Sequence, residues 1–126
     1  MVWAGPYFSW IHILDIFLSM DVDVFVPGHG PLGTKDDVRD VRDILTFIMK
    51  TGKKAYDGGI RDPIALAYQT VLPAKWRNYG EQERLVMNFC AFWREVDSSY
   101  KTPEFFDLMC IGGEFHKHIQ EGGLRR

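Results

Sequence analysis

The sequence has few cysteines, no long apolar run and no large excess of charge of either sign. Two cysteines in 126 residues are too few for a disulfide framework or a zinc ribbon. No apolar stretch approaches the roughly 20 residues of a transmembrane helix, and the first residues lack the pattern of a signal peptide. A formal charge of −2 argues against nucleic acid or an anionic membrane as a partner. These absences predict a cytoplasmic protein without a membrane or nucleic-acid partner.

Aromatic side chains, in contrast, are abundant: the chain has nine Phe, five Tyr and four Trp. With 46% hydrophobic residues, the composition is that of a globular protein, and the length predicts one domain, residues 1–126. Cys90 and Cys110 both lie among apolar residues. We therefore expect two reduced thiols in the core, the usual place for free cysteine.

Apolar residues recur at helical spacing along most of the chain. Thr34, with Asp37 three residues later, predicts a capped helix start, and Asp62-Pro63 predicts a second. Helix ends are expected at about Met49, ahead of Thr51-Gly52, and near Gly112-Gly113. The predicted helices are 10–20, 34–49, 63–72, 81–96 and 103–113, with a short helix at 114–120.

One segment has the character of a strand. Val22–Val26 is a short β-branched run bounded by Asp21 and Pro27-Gly28, which predicts a buried strand. Met1–Ala4 is predicted to be a strand end or an extended arm. A single buried strand cannot form a sheet, so the sequence looks as if its partner strands are missing. The fold class predicted is α/β and helix-rich, with one or two short strands and about five helices.

His29 lies between two glycines in the loop that follows the predicted strand. Loops at the carboxyl ends of strands often hold ligands, and imidazole is the commonest zinc ligand among side chains. The position therefore allows two interpretations: a functional, metal-binding histidine, or a turn histidine that caps the next helix.

The segment Asp21–Pro31, with Pro-Gly-His-Gly and a charged helix after it, resembles the metallo-β-lactamase-fold hydrolases. The helix at 10–20 is similar to the family's helix before that strand, and Arg84–Asn88 loosely resembles its helical tail. The resemblance implies the C-terminal part of an αββα fold, in which 1–50 ends the hydrolase core and 51–126 is the tail. It also implies that His29 is the last ligand of a site for zinc or a similar divalent metal.

The family's His-x-His-x-Asp-His motif has no counterpart in this sequence, so His29 alone matches a family ligand. One histidine does not hold a metal tightly. The first hypothesis is a truncated hydrolase that, in the complete fold, hydrolyses an ester, lactone or thioester of a small-molecule substrate. The second is a non-catalytic interaction or self-assembling protein, a homodimer built through its N-terminal third, because open strand edges and an incompletely covered helix favour pairing.

Three further histidines are candidate site residues. His116 and His118, near Glu114, superficially resemble the family motif but are interpreted as a polar helix turn, with an adventitious metal site as the alternative. His12, on the apolar first helix, is expected to be a satisfied core histidine, with a catalytic role as the alternative.

Overall fold

The computed structural model describes residues 6–77 and 82–122. These residues form two compact units, 6–50 and 51–122, and the division falls inside the second helix. None of the helices in the described ranges is both long and apolar enough to cross a bilayer. The elements are α1 (Tyr7–Ser19), α2 (Lys35–Asp57), α3 (Pro63–Gln69), a 3₁₀ turn (Ala74–Trp76), α4 (Arg84–Val96) and α5 (Phe105–Gln120).

The predicted α/β class is wrong, because the described residues contain helices and no strand. Val22–Val26 is not a buried strand: Val24 is 59% exposed and Val26 is 81% exposed, and among residues 6–77 and 82–122 only Phe25 of this segment forms a β-bridge, with Gly33. A β-branched run becomes a strand only where neighbouring backbone satisfies both of its edges, and no described residues supply such a ladder here. The described residues therefore do not form an αββα core, and the predicted strand at Met1–Ala4 lies outside them.

In the first unit, α1 is covered on one side only. Tyr7 is fully buried and Leu14 and Leu18 are half-buried, whereas much of the rest of the helix is open to solvent. Arg42 of α2 donates to the Asp15 carboxylate of α1 over 3.2 Å. The expectation that this apolar helix is covered on most sides is thus not met within the described unit.

The start of α2 follows the predicted capping pattern. The Thr34 backbone N–H and hydroxyl both donate to Oδ2 of Asp37, at 2.7 and 2.8 Å. These bonds hold the pKa of the Asp37 carboxyl below its usual value. Val38, Leu45 and Ile48 are buried along one stripe of the helix.

The end of α2 lies beyond Met49, where the sequence predicts it. The helix continues to Asp57 and closes with the N–H of Gly59 on the Tyr56 carbonyl and the N–H of Ile60 on the Ala55 carbonyl. Gly59 has a φ of +92°, which completes a Schellman motif. Gly52 does not end the helix; it leaves room for the Phe92 ring, whose Cδ1 lies 2.6 Å from the position that a Cβ would occupy.

In the second unit, α4 is the central helix. All nine residues from Leu85 to Trp93 are buried, and α3 and α5 both pack against α4. α3 begins as predicted, since the Asp62 carboxylate accepts from the N–H groups of Ile64 and Ala65 and Pro63 occupies the first helical position.

α5 is a single helix, so the predicted break at Gly112-Gly113 and the separate helix at 114–120 are wrong. Gly112 is buried, and a Cβ there would lie 3.2 Å from Cε of Met87 on α4. A glycine at this position allows α4 and α5 to approach closely, and the backbone remains helical. Farther along α5, the Phe115 ring is fully buried and meets Tyr68 of α3 edge-on, with 4.9 Å between centroids.

Candidate functional site

The loop that carries His29 is closed at its base by two backbone hydrogen bonds. The Phe25 N–H donates to the Gly33 carbonyl over 2.8 Å, and the Gly33 N–H donates to the Phe25 carbonyl over 2.9 Å. Gly30 has a φ of +100°, a conformation that a residue with a Cβ adopts only with strain. The segment Val26–Leu32 is therefore a closed loop of defined shape, with His29 near its middle.

The His29 side chain is exposed, and its ring makes no hydrogen bond within the described residues. It does not cap α2, since Thr34 and Asp37 form that cap. Nor do residues 6–77 and 82–122 contain any group of three His, Cys, Asp or Glu side chains that could hold a metal ion. A catalytic zinc takes three protein ligands, so these residues do not fit such a centre. His29 as a metal ligand stays a prediction.

His29 does border a hollow of about 540 Å³ in the first unit, which we call the His29 hollow. Its walls come from three pieces of chain: the end of α1, the closed loop and the first turns of α2. Phe17 and Phe25 stand side by side in it, with 6.1 Å between ring centroids and 34° between ring planes. The lining residues are Leu14, Phe17, Phe25, Val26, Pro27, His29, Pro31, Leu32, Gly33, Asp37, Val38 and Val41.

Asp37 supplies a formal charge in a lining that is apolar apart from Asp37 and His29. Its Oδ2 is fixed by the two hydrogen bonds from Thr34, which also lower the pKa of the carboxyl. The spacing of Thr34 and Asp37 in the sequence indicates a helix cap only. The place of Asp37 in the hollow depends on the fold of the preceding loop, which no local pattern predicts.

A second feature of the first unit is a partly exposed apolar surface on α1. Five large side chains on one side of the helix, each between 39% and 47% exposed, form what we call the α1 stripe. Four of them are spaced three, four and three residues apart, which is the a/d spacing of helices that pair in coiled coils. The α1 stripe consists of Trp10, Ile13, Ile16, Phe17 and Met20.

The other candidate histidines do not converge on a site. His116 lies 3.2 Å from the Glu83 carboxylate, whereas His118 packs on the rings of Tyr68 and Phe115. The two imidazoles therefore have different surroundings. His12 is exposed on α1, so its prediction as a core histidine is wrong.

Both cysteines are free, but only one of them is in the core. Cys90 is buried on α4, and burial raises the pKa of its thiol. Cys110 is exposed on α5, which contradicts its predicted burial. The apolar neighbours of Cys110 in sequence lie on several sides of a helix, so they did not indicate which side is covered.

Comparison with protein-family models, with curated proteins and with solved structures found no match to this chain. The resemblance to metallo-β-lactamase-fold hydrolases therefore stays a prediction that rests on the residues around His29.

Proposed function

We propose that the protein is a self-associating interaction protein whose two copies meet through the α1 stripe. The observation that carries this proposal is the exposure of five large apolar side chains on one side of α1. Contiguous apolar surfaces of this kind are typical of interaction sites in proteins that stay in solution.

The spacing of the α1 stripe favours a helix as its occupant. Residues at a/d spacing insert between the side chains of a facing helix, and Trp10, Ile13, Phe17 and Met20 have this spacing over three turns. A two-fold axis would place the stripe of one copy on the stripe of the other, so that one surface supplies both sides of the interface.

Charge also favours a second copy as the occupant. The α1 stripe contains no ionisable side chain, so pairing it with itself brings no like charges together. The charged residue of α1, Asp15, is already paired with Arg42. A strongly charged partner would find no complementary group on this surface.

The magnitude of the burial indicates a weak dimer. Covering the exposed parts of ten such side chains, five from each copy, contributes about 6–13 kcal/mol, at about 1.5–3 kcal/mol for full burial of each. Association costs about 4 kcal/mol or more in lost rotational and translational freedom. The exposed side chains of Val24, Val26 and Leu32 in the same unit offer further apolar area. We therefore expect a dissociation constant in the micromolar range or weaker.

The test is sedimentation velocity from low micromolar to several hundred micromolar protein, with two lysine variants on the same helix. Ile13→Lys places a charge in the α1 stripe at a half-exposed position. Phe8→Lys is the matched control, because Phe8 is 67% exposed on α1 but lies on another side of the helix. We expect wild type and Phe8→Lys to dimerise and Ile13→Lys to stay monomeric. Wild type that is monomeric throughout, or equal weakening by both variants, overturns the proposal.

A second candidate is metal-dependent hydrolysis of an ester, lactone or thioester, with His29 as one ligand. The exposed imidazole on a closed loop beside a hollow supports it. Because the described residues do not complete a metal centre, further ligands would have to come from elsewhere.

We expect zinc binding by the isolated chain to be weak and to be lost in His29→Ala but not in His12→Ala, as measured by equilibrium dialysis. Zinc retained stoichiometrically by a monomer after treatment with a chelator would contradict this expectation.

A further inference from the structure

The His29 hollow has the size and lining of a small-molecule site. Its volume of about 540 Å³ lies within the range of roughly 300–1,000 Å³ that is usual for such sites. Leu14, Val38 and Val41 line it from the helices, and Leu32 and the two prolines line it from the closed loop. A ligand for this space therefore needs a compact apolar body.

The Asp37 carboxylate determines which polar group of a ligand the hollow can bind. Two hydrogen bonds from Thr34 fix the orientation of this carboxylate, so its charge stays at one place in the wall. Both bonds end on Oδ2, and a carboxylate has about four acceptor positions on its two oxygens. Acceptor capacity therefore remains on Asp37 for a donor inside the hollow.

The surrounding charge favours a cation. Residues 6–50 contain seven acidic and four basic side chains, so the field of this unit attracts cations and repels anions. The rings of Phe17 and Phe25 line the same hollow and offer apolar surface to the body of the ligand. The N-terminus of α2 would by itself favour an anion, but Asp36 and Asp37 in its first turn oppose one.

We propose that the His29 hollow binds a small organic amine, with its apolar body against Phe17 and Phe25 and its ammonium group on the Asp37 carboxylate. This proposal does not rest on self-association or on a metal at His29. His29 forms part of the rim and is not required to change its protonation state.

The test compares three probes of similar shape and different charge: 2-phenylethylamine, 2-phenylethanol and 3-phenylpropionate. Binding is followed by amide chemical shifts in two-dimensional NMR, which also locates the ligand. We expect the amine to bind at least about tenfold more tightly than the carboxylate, since the amine gains a charge-assisted hydrogen bond and the carboxylate meets repulsion. The shifts should fall in residues 14–41. Equal affinity for the three probes, shifts elsewhere, or no binding by the amine overturns the proposal.

Variants distinguish the carboxylate from the hollow itself. Asp37→Asn should weaken amine binding about tenfold and leave 2-phenylethanol unchanged, whereas the neighbouring Asp36→Asn, which does not line the hollow, should change neither. Because Asp37 also caps α2, Val41→Phe is a second variant: it fills the hollow, leaves the cap in place and should abolish binding of both probes. An unchanged amine affinity in either Asp37→Asn or Val41→Phe contradicts the site.

The Ile13→Lys variant separates this proposal from self-association. Phe17 belongs to both the α1 stripe and the His29 hollow, whereas Ile13 does not line the hollow. Amine binding in Ile13→Lys should equal that of wild type. Binding lost only in this variant would place the ligand at a dimer interface and would overturn the single-chain site.

Discussion

Glycines inside helices are the residues at which sequence and structure differ most clearly. Gly52 and Gly112 both lie within continuous helices, although the sequence predicts one helix to end before Gly52, at about Met49, and another to end near Gly112. Each is required because another side chain comes close: Phe92 at Gly52 and Met87 at Gly112. Such a glycine looks the same in sequence as one that ends a helix. The difference lies in the packing partner, which is 40 residues away in the first case.

The first prediction concerns Gly52→Ala. Its Cβ would lie 2.6 Å from the Phe92 ring, so helix or ring must move, and we expect a loss of about 1–3 kcal/mol in the free energy of unfolding. Gly113→Ala is the matched control: this residue lies in α5 with no atom near its Cβ position, and we expect a gain of about 0.5–1 kcal/mol. Urea denaturation measures both. A stabilised Gly52→Ala variant would show that the ring is not held there.

The second prediction concerns the pH dependence of the Asp37 cap. The pKa of this carboxyl is lowered by its bonds to Thr34, so its contribution to stability is present above the ordinary carboxyl pKa. That contribution is lost as the pH falls through the lowered pKa in the folded state. We therefore expect Asp37→Asn to be less stable than wild type near pH 7, and the difference to shrink as the pH falls and the Asp37 carboxylate is protonated. Urea denaturation along the pH series measures this difference. A difference that does not change with pH would mean that the ionised form is not what stabilises the cap.

At the scale of elements, the sequence predicted helix starts well and the strand badly. The starts at Thr34 and Asp62 were confirmed because a cap is made by residues within three positions of one another. Val22–Val26 was predicted wrongly because its β-branched composition describes only the segment itself. A strand also needs neighbours, and within the described residues Phe25 alone finds a backbone partner, at Gly33.

The third prediction tests the backbone of the closed loop. Gly28 and Gly30 flank His29, and neither has any atom near its Cβ position, but only Gly30 has a positive φ. Gly30→Ala should therefore destabilise the protein by about 1–2 kcal/mol, the cost of left-handed backbone for a residue with a Cβ. Gly28→Ala should change stability by less than about 0.5 kcal/mol. Thermal unfolding followed by circular dichroism compares the pair, and equal effects would mean that the loop does not hold the observed conformation.

For the whole molecule, the candidate site was predictable only in part. The sequence pointed to the loop around His29, because glycines and prolines around one histidine are a local pattern. A metal centre needs several ligands brought together by the fold, and the described residues supply no such group. The apolar character of α1 was equally plain in the sequence, yet its exposure was not, since periodicity shows that a side chain is apolar and not whether another element covers it.

The last prediction links that exposed surface to the stability of the molecule. If the α1 stripe pairs only in folded chains, self-association stabilises the folded state by mass action. A partner present at about 100 times its dissociation constant adds about 2.7 kcal/mol, and for a chain of this length such an increase raises the melting temperature by several degrees. We expect the melting temperature of wild type and Phe8→Lys to rise over a hundredfold increase in protein concentration. That of Ile13→Lys should stay constant, because lysine in the α1 stripe prevents pairing without removing buried area. Differential scanning calorimetry at each concentration measures this. A melting temperature of wild type that does not depend on concentration would show that pairing through the α1 stripe does not stabilise the folded state. The exposed side chains of α1 would then need a different partner.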